Sequence, residues 1–285
     1  MYKNILTGIK GFFMGAANVI PGVSGGTIAL ITGIYEEIVD SLNALMSVKV
    51  WKSLFKDGFK NFWAQIHGTF LLSLAIGVLV SIFSLAKLAE YCLHSHPVQT
   101  WAFFFGLILA SSYQMLRGIK GWTLKDVIIT IIGCILGLVI CTLSPTETPD
   151  SMWFIFLCGA LAICTMILPG ISGSFILVIL GKYDYIMGVI DNLEVGPLVV
   201  FAAGCAIGIL AFAKFLHWLL ARRERETLLV LVGFVIGSLV KIWPWSDMAS
   251  IPDGGLHIPG AVIWCLVGVA VIAAVEIVGS NKKRS

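Results

Sequence analysis

The chain has 285 residues, of which 58% are apolar and 12% charged, with a mean hydropathy of +0.96 and a formal net charge of +3. A soluble domain carries about 25% charged residues, so this chain has too few to cover a water-facing surface. The composition excludes a soluble globular protein and indicates an integral membrane protein. Its seven cysteines are scattered through apolar runs, none in a CxxC pair. They read as small packing residues, with no disulfide framework and no metal site.

A bilayer core of about 30 Å takes roughly 20 apolar residues per helical crossing. The first apolar region, 11–38, follows Lys3 and Lys10 and is interrupted at Asn18 and Pro21-Gly22. That break, with more apolar sequence beyond it, argues against a cleaved signal peptide. Three crossings follow at 65–86, 99–117 and 124–143. A second interrupted region, 153–187, breaks at Pro169-Gly170, and crossings at 196–220, 227–243 and 258–279 complete the chain. Each interrupted region divides into pieces of roughly 10 to 15 residues, too short to cross alone. Re-entrant helical hairpins fit them, because irregular backbone at membrane depth needs protein or a wet cavity around it. Trp63, Trp101, Trp122, Trp153, Trp218, Trp243 and Trp245 fall near segment ends, where indoles anchor at the headgroup level.

The segment IPGVSGGTIALITGIYEEI at 20–38 returns 148 residues later as LPGISGSFILVILGKYDYI at 168–186. Each copy precedes three crossings, so the chain reads as a duplication, with halves 1–148 and 149–285 in one membrane domain. Three is odd, so the second hairpin enters from the opposite face and the repeat is inverted. Paired interrupted segments in the two halves of such a chain point to a transport site near the midplane. Charge supports the layout: of the 19 lysines and arginines, all but Lys87, Lys182 and Lys241 fall on one face. By the positive-inside rule both termini are cytoplasmic.

The tips carry the chemistry. Pro21 and Gly22 suit a sharp turn, as do Pro169 and Gly170. Ser24 is placed to cap a helix starting near Gly26, with Gly25 beside it and Thr27 in the first turn. Ser172, Gly173 and Ser174 repeat the arrangement. Bare N–H groups at a helix start attract anions, so the natural ligand is a phosphate or carboxylate. Glu36 and Asp184 follow the second arm of each hairpin. At a helix C-terminus they would oppose the dipole, which points to gating or proton coupling, or to neutralisation by Lys49 or Lys182. Arg117, ending the second crossing, can pair bidentately with a phosphate.

Two other readings stand beside this one. An inverted-repeat transporter of a small soluble anion would need a closed polar cleft. An intramembrane serine hydrolase would use Ser24, which sits in a G-x-S-x-G run at Gly22–Gly26. A nucleophilic serine needs a base within hydrogen-bond reach, and of the five histidines His217 comes closest to a segment interior.

The paired PGVSGGT and PGISGS hairpins, with their tails to Tyr35-Glu36 and Tyr183-Asp184, resemble the bacterial polyprenyl-phosphate transporter family over essentially the whole chain. The resemblance implies translocation of undecaprenyl phosphate from the outer to the cytoplasmic leaflet of the bacterial inner membrane. That lipid carrier is thereby recycled for cell-envelope synthesis, with no catalytic step and no cofactor. Its partners would be the lipid substrate and membrane lipids, not nucleic acid. Phosphate binding then falls to Ser24, Gly25, Gly26, Thr27, Ser172, Gly173 and Ser174, with Asn18 adding an amide donor. The copies are unequal: Met166 stands opposite Asn18, Ser174 opposite Gly26, and Phe175 opposite Thr27.

Overall fold

A computed structural model describes residues 2–19, 24–246 and 255–281. The described residues are helical with no strand, and several helices are apolar enough for a polytopic membrane protein. By length and apolarity Gly68–Leu85, Leu124–Thr142 and Val195–Ile242 each suffice to cross a bilayer. The chain forms two compact units, each assembled from both halves of the sequence: 1–83 with 143–227, and 84–142 with 228–285.

The first unit opens with α1 (Tyr2–Val19), α2 (Gly25–Ile31) and α3 (Tyr35–Leu45). It continues through α4 (Val48–Lys56) and α5 (Phe59–Gln65) into α6 (Gly68–Ser95), which leaves the unit after Phe83. Later in the sequence come α9 (Met152–Ile167), α10 (Gly173–Ile179), α11 (Tyr183–Asp191) and α12 (Val195–Ser238). The arms of the interrupted regions differ from the expected lengths. The first arm has 18 residues because the helix already begins at Tyr2, whereas α2 and α10 have only seven each. Pro21 and Gly22 lie outside the described residues.

The two short helices end alike. Gly33 and Gly181 both take left-handed backbone, with φ of 67° and 61°. The N–H of Ile34 donates to the Ala29 carbonyl, and that of Lys182 to the Leu177 carbonyl. These are Schellman stops, which need a residue free of Cβ strain. Each stop turns the chain, and α10 and α11 meet at a bend of 114°. Glu36 and Asp184 therefore sit in the first turns of α3 and α11, where the dipole favours them. This corrects the expectation of an opposed dipole: the helix before them has already ended at the glycine.

Packing repeats as well. A Cβ at Gly11 would overlap the Leu74 carbonyl, and one at Gly77 the Gly8 carbonyl, so α1 and α6 touch backbone to backbone. The α9–α12 pair does the same at Gly159 against Phe201 and Gly204 against Phe156. Close approach through small residues is the usual means of helix association in lipid. The arms are 148 residues apart and the crossings 127, so the first half holds 21 extra residues between them. The helices α4 and α5 occupy that insertion.

The second unit holds the end of α6, α7 (Pro97–Gly118), α8 (Leu124–Thr142), the end of α12, a 3-10 turn (Leu239–Ile242) and α13 (Ile258–Asn281). In it α7 packs on α13 at Gly106 and Gly268, and α8 on α12 at Gly133, Gly137, Gly233 and Gly237. The segments expected at 196–220 and 227–243 are two helices that meet at a kink at Arg223, whose φ of −143° and ψ of 48° are not helical. Ala221 through Glu226 is charged but made of strong helix formers, so the break is a kink and not a longer loop.

Candidate functional site

Within the first unit the two tips meet. The Ser24 hydroxyl accepts the Gly26 N–H at 3.1 Å, capping α2, and donates to the Leu168 carbonyl at 3.2 Å. The Thr27 hydroxyl accepts the Gly170 N–H at 2.8 Å. Both side chains are buried, at 2% and 1% exposure. Gly26 faces the Ile167 carbonyl so closely that a Cβ would come within 2.6 Å of it.

The first-turn amides of α2 are not bare, contrary to expectation. Asn18 Oδ1 accepts the Gly25 N–H at 2.8 Å, Ser24 Oγ takes that of Gly26, and the Ser24 carbonyl takes that of Thr27. The second tip differs. Ser172 occupies the N-cap position of α10 but makes no capping bond. Its hydroxyl instead pairs with that of Ser174 at 2.7 Å, because Ser174 stands where the first copy has Gly26 and offers a nearer partner. The Gly173 and Ser174 N–H groups donate to no acceptor among the described residues. Gly173 itself lies against the Ala162 carbonyl.

A cavity of about 380 Å³ opens at this second tip. Its polar side is formed by Asn18, Ser24, Ser172, Gly173 and Ser174, and its apolar side by Ile163, Met166, Ile171, Leu177 and Phe201. Asn18 and Ser174 are exposed, and the Asn18 Nδ2 donates to no acceptor among the described residues. The pocket is therefore amphiphilic: unpaired donors at one end and hydrocarbon walls at the other. Pockets of this size are within the range that holds small ligands.

The remaining residues fall elsewhere. Glu36 and Asp184 are exposed. Lys182 is buried and holds Asp150 and the Thr148 carbonyl, not Asp184. Arg117 is exposed in the last turn of α7, in the second unit. No histidine bonds Ser24 or Ser172 among the described residues, and His217 is 2.8 Å from Asp40. Sequence reasoning passed over Lys10, whose ammonium donates to the Thr32 carbonyl at 2.7 Å and closes the C-terminus of α2. A basic residue at a helix end is a recognised signal, but here it comes from another helix. It also passed over the apolar wall, since Leu177 and Phe201 are two apolar residues among many in apolar runs.

A family model described as undecaprenyl phosphate translocase-like (VCA0040-like) matches residues 14–255. A polyprenyl-phosphate transporter of Vibrio cholerae serotype O1 is 43% identical over 257 residues, covering 89% of this chain and 82% of that protein. A polyprenyl-phosphate transporter of Staphylococcus aureus is 32% identical over 254 residues, covering 83% and 85% respectively. No solved structure matches the chain.

Proposed function

The chain belongs to the undecaprenyl phosphate translocase-like family, and from that premise we propose that it carries a polyprenyl phosphate across the bacterial inner membrane. The observation that supports this reading is the cavity at the second tip, with free donors beside an apolar wall. A polyprenyl phosphate is one anionic group on a long hydrocarbon tail. Moving that charge bare through hydrocarbon would cost on the order of tens of kcal/mol. The Gly173 and Ser174 amides, the Ser172 and Ser174 hydroxyls and the Asn18 amide replace its hydration. The first isoprene units lie along Met166, Leu177 and Phe201.

In this reading Ser24, Gly25, Gly26 and Thr27 act mainly by fastening the first tip to the second. The two halves form an inverted repeat whose re-entrant tips alternate in access, with both termini cytoplasmic. Transport runs from the outer to the cytoplasmic leaflet, returning the carrier for envelope synthesis. Arg117 receives the phosphate, and Glu36 and Asp184 gate the path or couple it to protons. The apolar wall favours a lipid over a small soluble anion, whose site would need polar groups all round.

The test is a liposome assay with undecaprenyl phosphate loaded into one leaflet, following headgroup exposure over time. The wild-type protein should equilibrate the leaflets, and a Ser172→Ala/Ser174→Ala variant should be slower by about tenfold or more. No movement with folded wild-type protein and a proton gradient supplied would overturn the lipid reading. Movement unchanged in the variant would keep the substrate and displace the site.

A further inference from the structure

The 21-residue insertion that distinguishes the first half from the second is the α4–α5 hairpin, and the transport repeat does without it in its second copy. Its side chains sort into three sectors. Successive helical residues turn by about 100°, which places Val50, Ser53 and Leu54 on one side of α4. These pack inward, Val50 with Phe62 of α5 and with Ile66 at its C-terminal end. Beside them stands an exposed apolar sector of Val48, Trp51 and Phe55, the last 87% exposed. The next sector is Lys49, Lys52 and Lys56, all exposed. Helix α5 continues the pattern with exposed Phe59 and Lys60.

Four lysines against the single carboxylate of Asp57 give residues 48–66 a strong positive charge. The Trp51 indole N–H is already bonded to the Leu45 carbonyl at 2.7 Å, so its ring can enter an apolar layer without stranding a donor. Amphipathic helices with a lysine-rich face and aromatic residues lie in the plane of the membrane interface. Basic segments beside a bilayer attract anionic lipid headgroups.

We propose that the α4–α5 hairpin lies in the bilayer interface and binds anionic phospholipid headgroups, with Phe55 and Phe59 inserted and Lys49, Lys52, Lys56 and Lys60 on the phosphates. This element is independent of the carrier cavity, and its partner is bulk anionic phospholipid instead of transported lipid.

The test uses the full chain in nanodiscs of phosphatidylcholine, with or without about one third phosphatidylglycerol and free of polyprenyl phosphate. Hydrogen exchange is read over residues 48–66. Phosphatidylglycerol should slow exchange there by about threefold or more. Replacing the four lysines by glutamine should abolish the difference, and replacing them by arginine should keep it. Phe55→Ser/Phe59→Ser should speed exchange in both discs. Should the glutamine variant exchange fast even in phosphatidylcholine, the arginine variant decides: loss of the lipid effect there overturns the proposal. Equal wild-type exchange in the two discs, or a lipid effect that survives the glutamines, also overturns it.

Discussion

The Thr27 hydroxyl holds the backbone N–H of Gly170 across 143 residues of sequence, at 2.8 Å and out of contact with solvent. A buried amide left without an acceptor costs about 1–3 kcal/mol. Thr27→Val keeps the shape and removes the acceptor, so it should lower the unfolding temperature in detergent by several degrees. Thr27→Ser should restore most of it. Equal unfolding temperatures for Val and wild type would mean that the tips are not fastened there.

Gly26 makes a harder demand on space. A Cβ at this position meets the Ile167 and Met166 carbonyls at 2.6 and 3.1 Å, and backbone cannot step aside as a side chain can. At Gly33 a Cβ meets open space and only the φ of 67° is unfavourable. Gly33→Ala should therefore cost about 1 kcal/mol, while Gly26→Ala should cost more or prevent folding. Detergent-solubilised yield and thermal unfolding, compared side by side, give the order.

Much of this was legible in the sequence. The repeat marked both short helices, and Ser24 was identifiable as a cap because a serine two residues before an apolar helical run has a free amide to bind. The wrong inference about Glu36 and Asp184 came from reading through Gly33 and Gly181. A glycine after an apolar turn is a helix stop, and Tyr35 and Tyr183 each start a new helix. The equivalence of Ser24 and Ser172 was less readable. It fails because one neighbouring residue, Ser174, offers its hydroxyl where Gly26 offers only an amide. The bonds from Thr27 to Gly170 and from Lys182 to Asp150 join distant segments, and no local pattern encodes them.

Lys182 is 5% exposed at its side chain while its partner Asp150 is 67% exposed. Removing Asp150 leaves a buried ammonium with only the Thr148 carbonyl and neighbouring ring contacts, whereas Lys182→Met removes the charge and keeps the volume. One-sided removal of a buried pair is the costlier change. Asp150→Ala should destabilise by about 1–2 kcal/mol, and Lys182→Met by less. The reverse order in thermal unfolding would show that the hydrogen bond to Thr148 outweighs the charge.

Ser24 satisfies a hydrolase-like motif, and no histidine bonds it among the described residues. Its hydroxyl donates to a carbonyl and accepts from an amide, and it is almost sealed from solvent. A nucleophilic serine requires an adjacent base. A serine-directed fluorophosphonate should leave Ser24 unlabelled in native protein in detergent or nanodiscs. Stoichiometric labelling at that residue, located by peptide mass, would reopen the enzymatic reading.

The two tips should separate stability from transport. Ser172 and Ser174 bond each other at the cavity edge, so replacing both with alanine strands no buried partner and should change the unfolding temperature little. On the proposed reading it removes two of the headgroup donors, so transport should fall about tenfold or more. Ser24→Ala strands the Gly26 amide, removes the donor to Leu168, and loosens the contact between tips. It should cost about 1–2 kcal/mol, with transport falling only as far as folded protein is lost. Measuring both quantities on each variant discriminates the roles. If Ser24→Ala abolishes transport at full stability while the double variant transports normally, the phosphate belongs on the first tip.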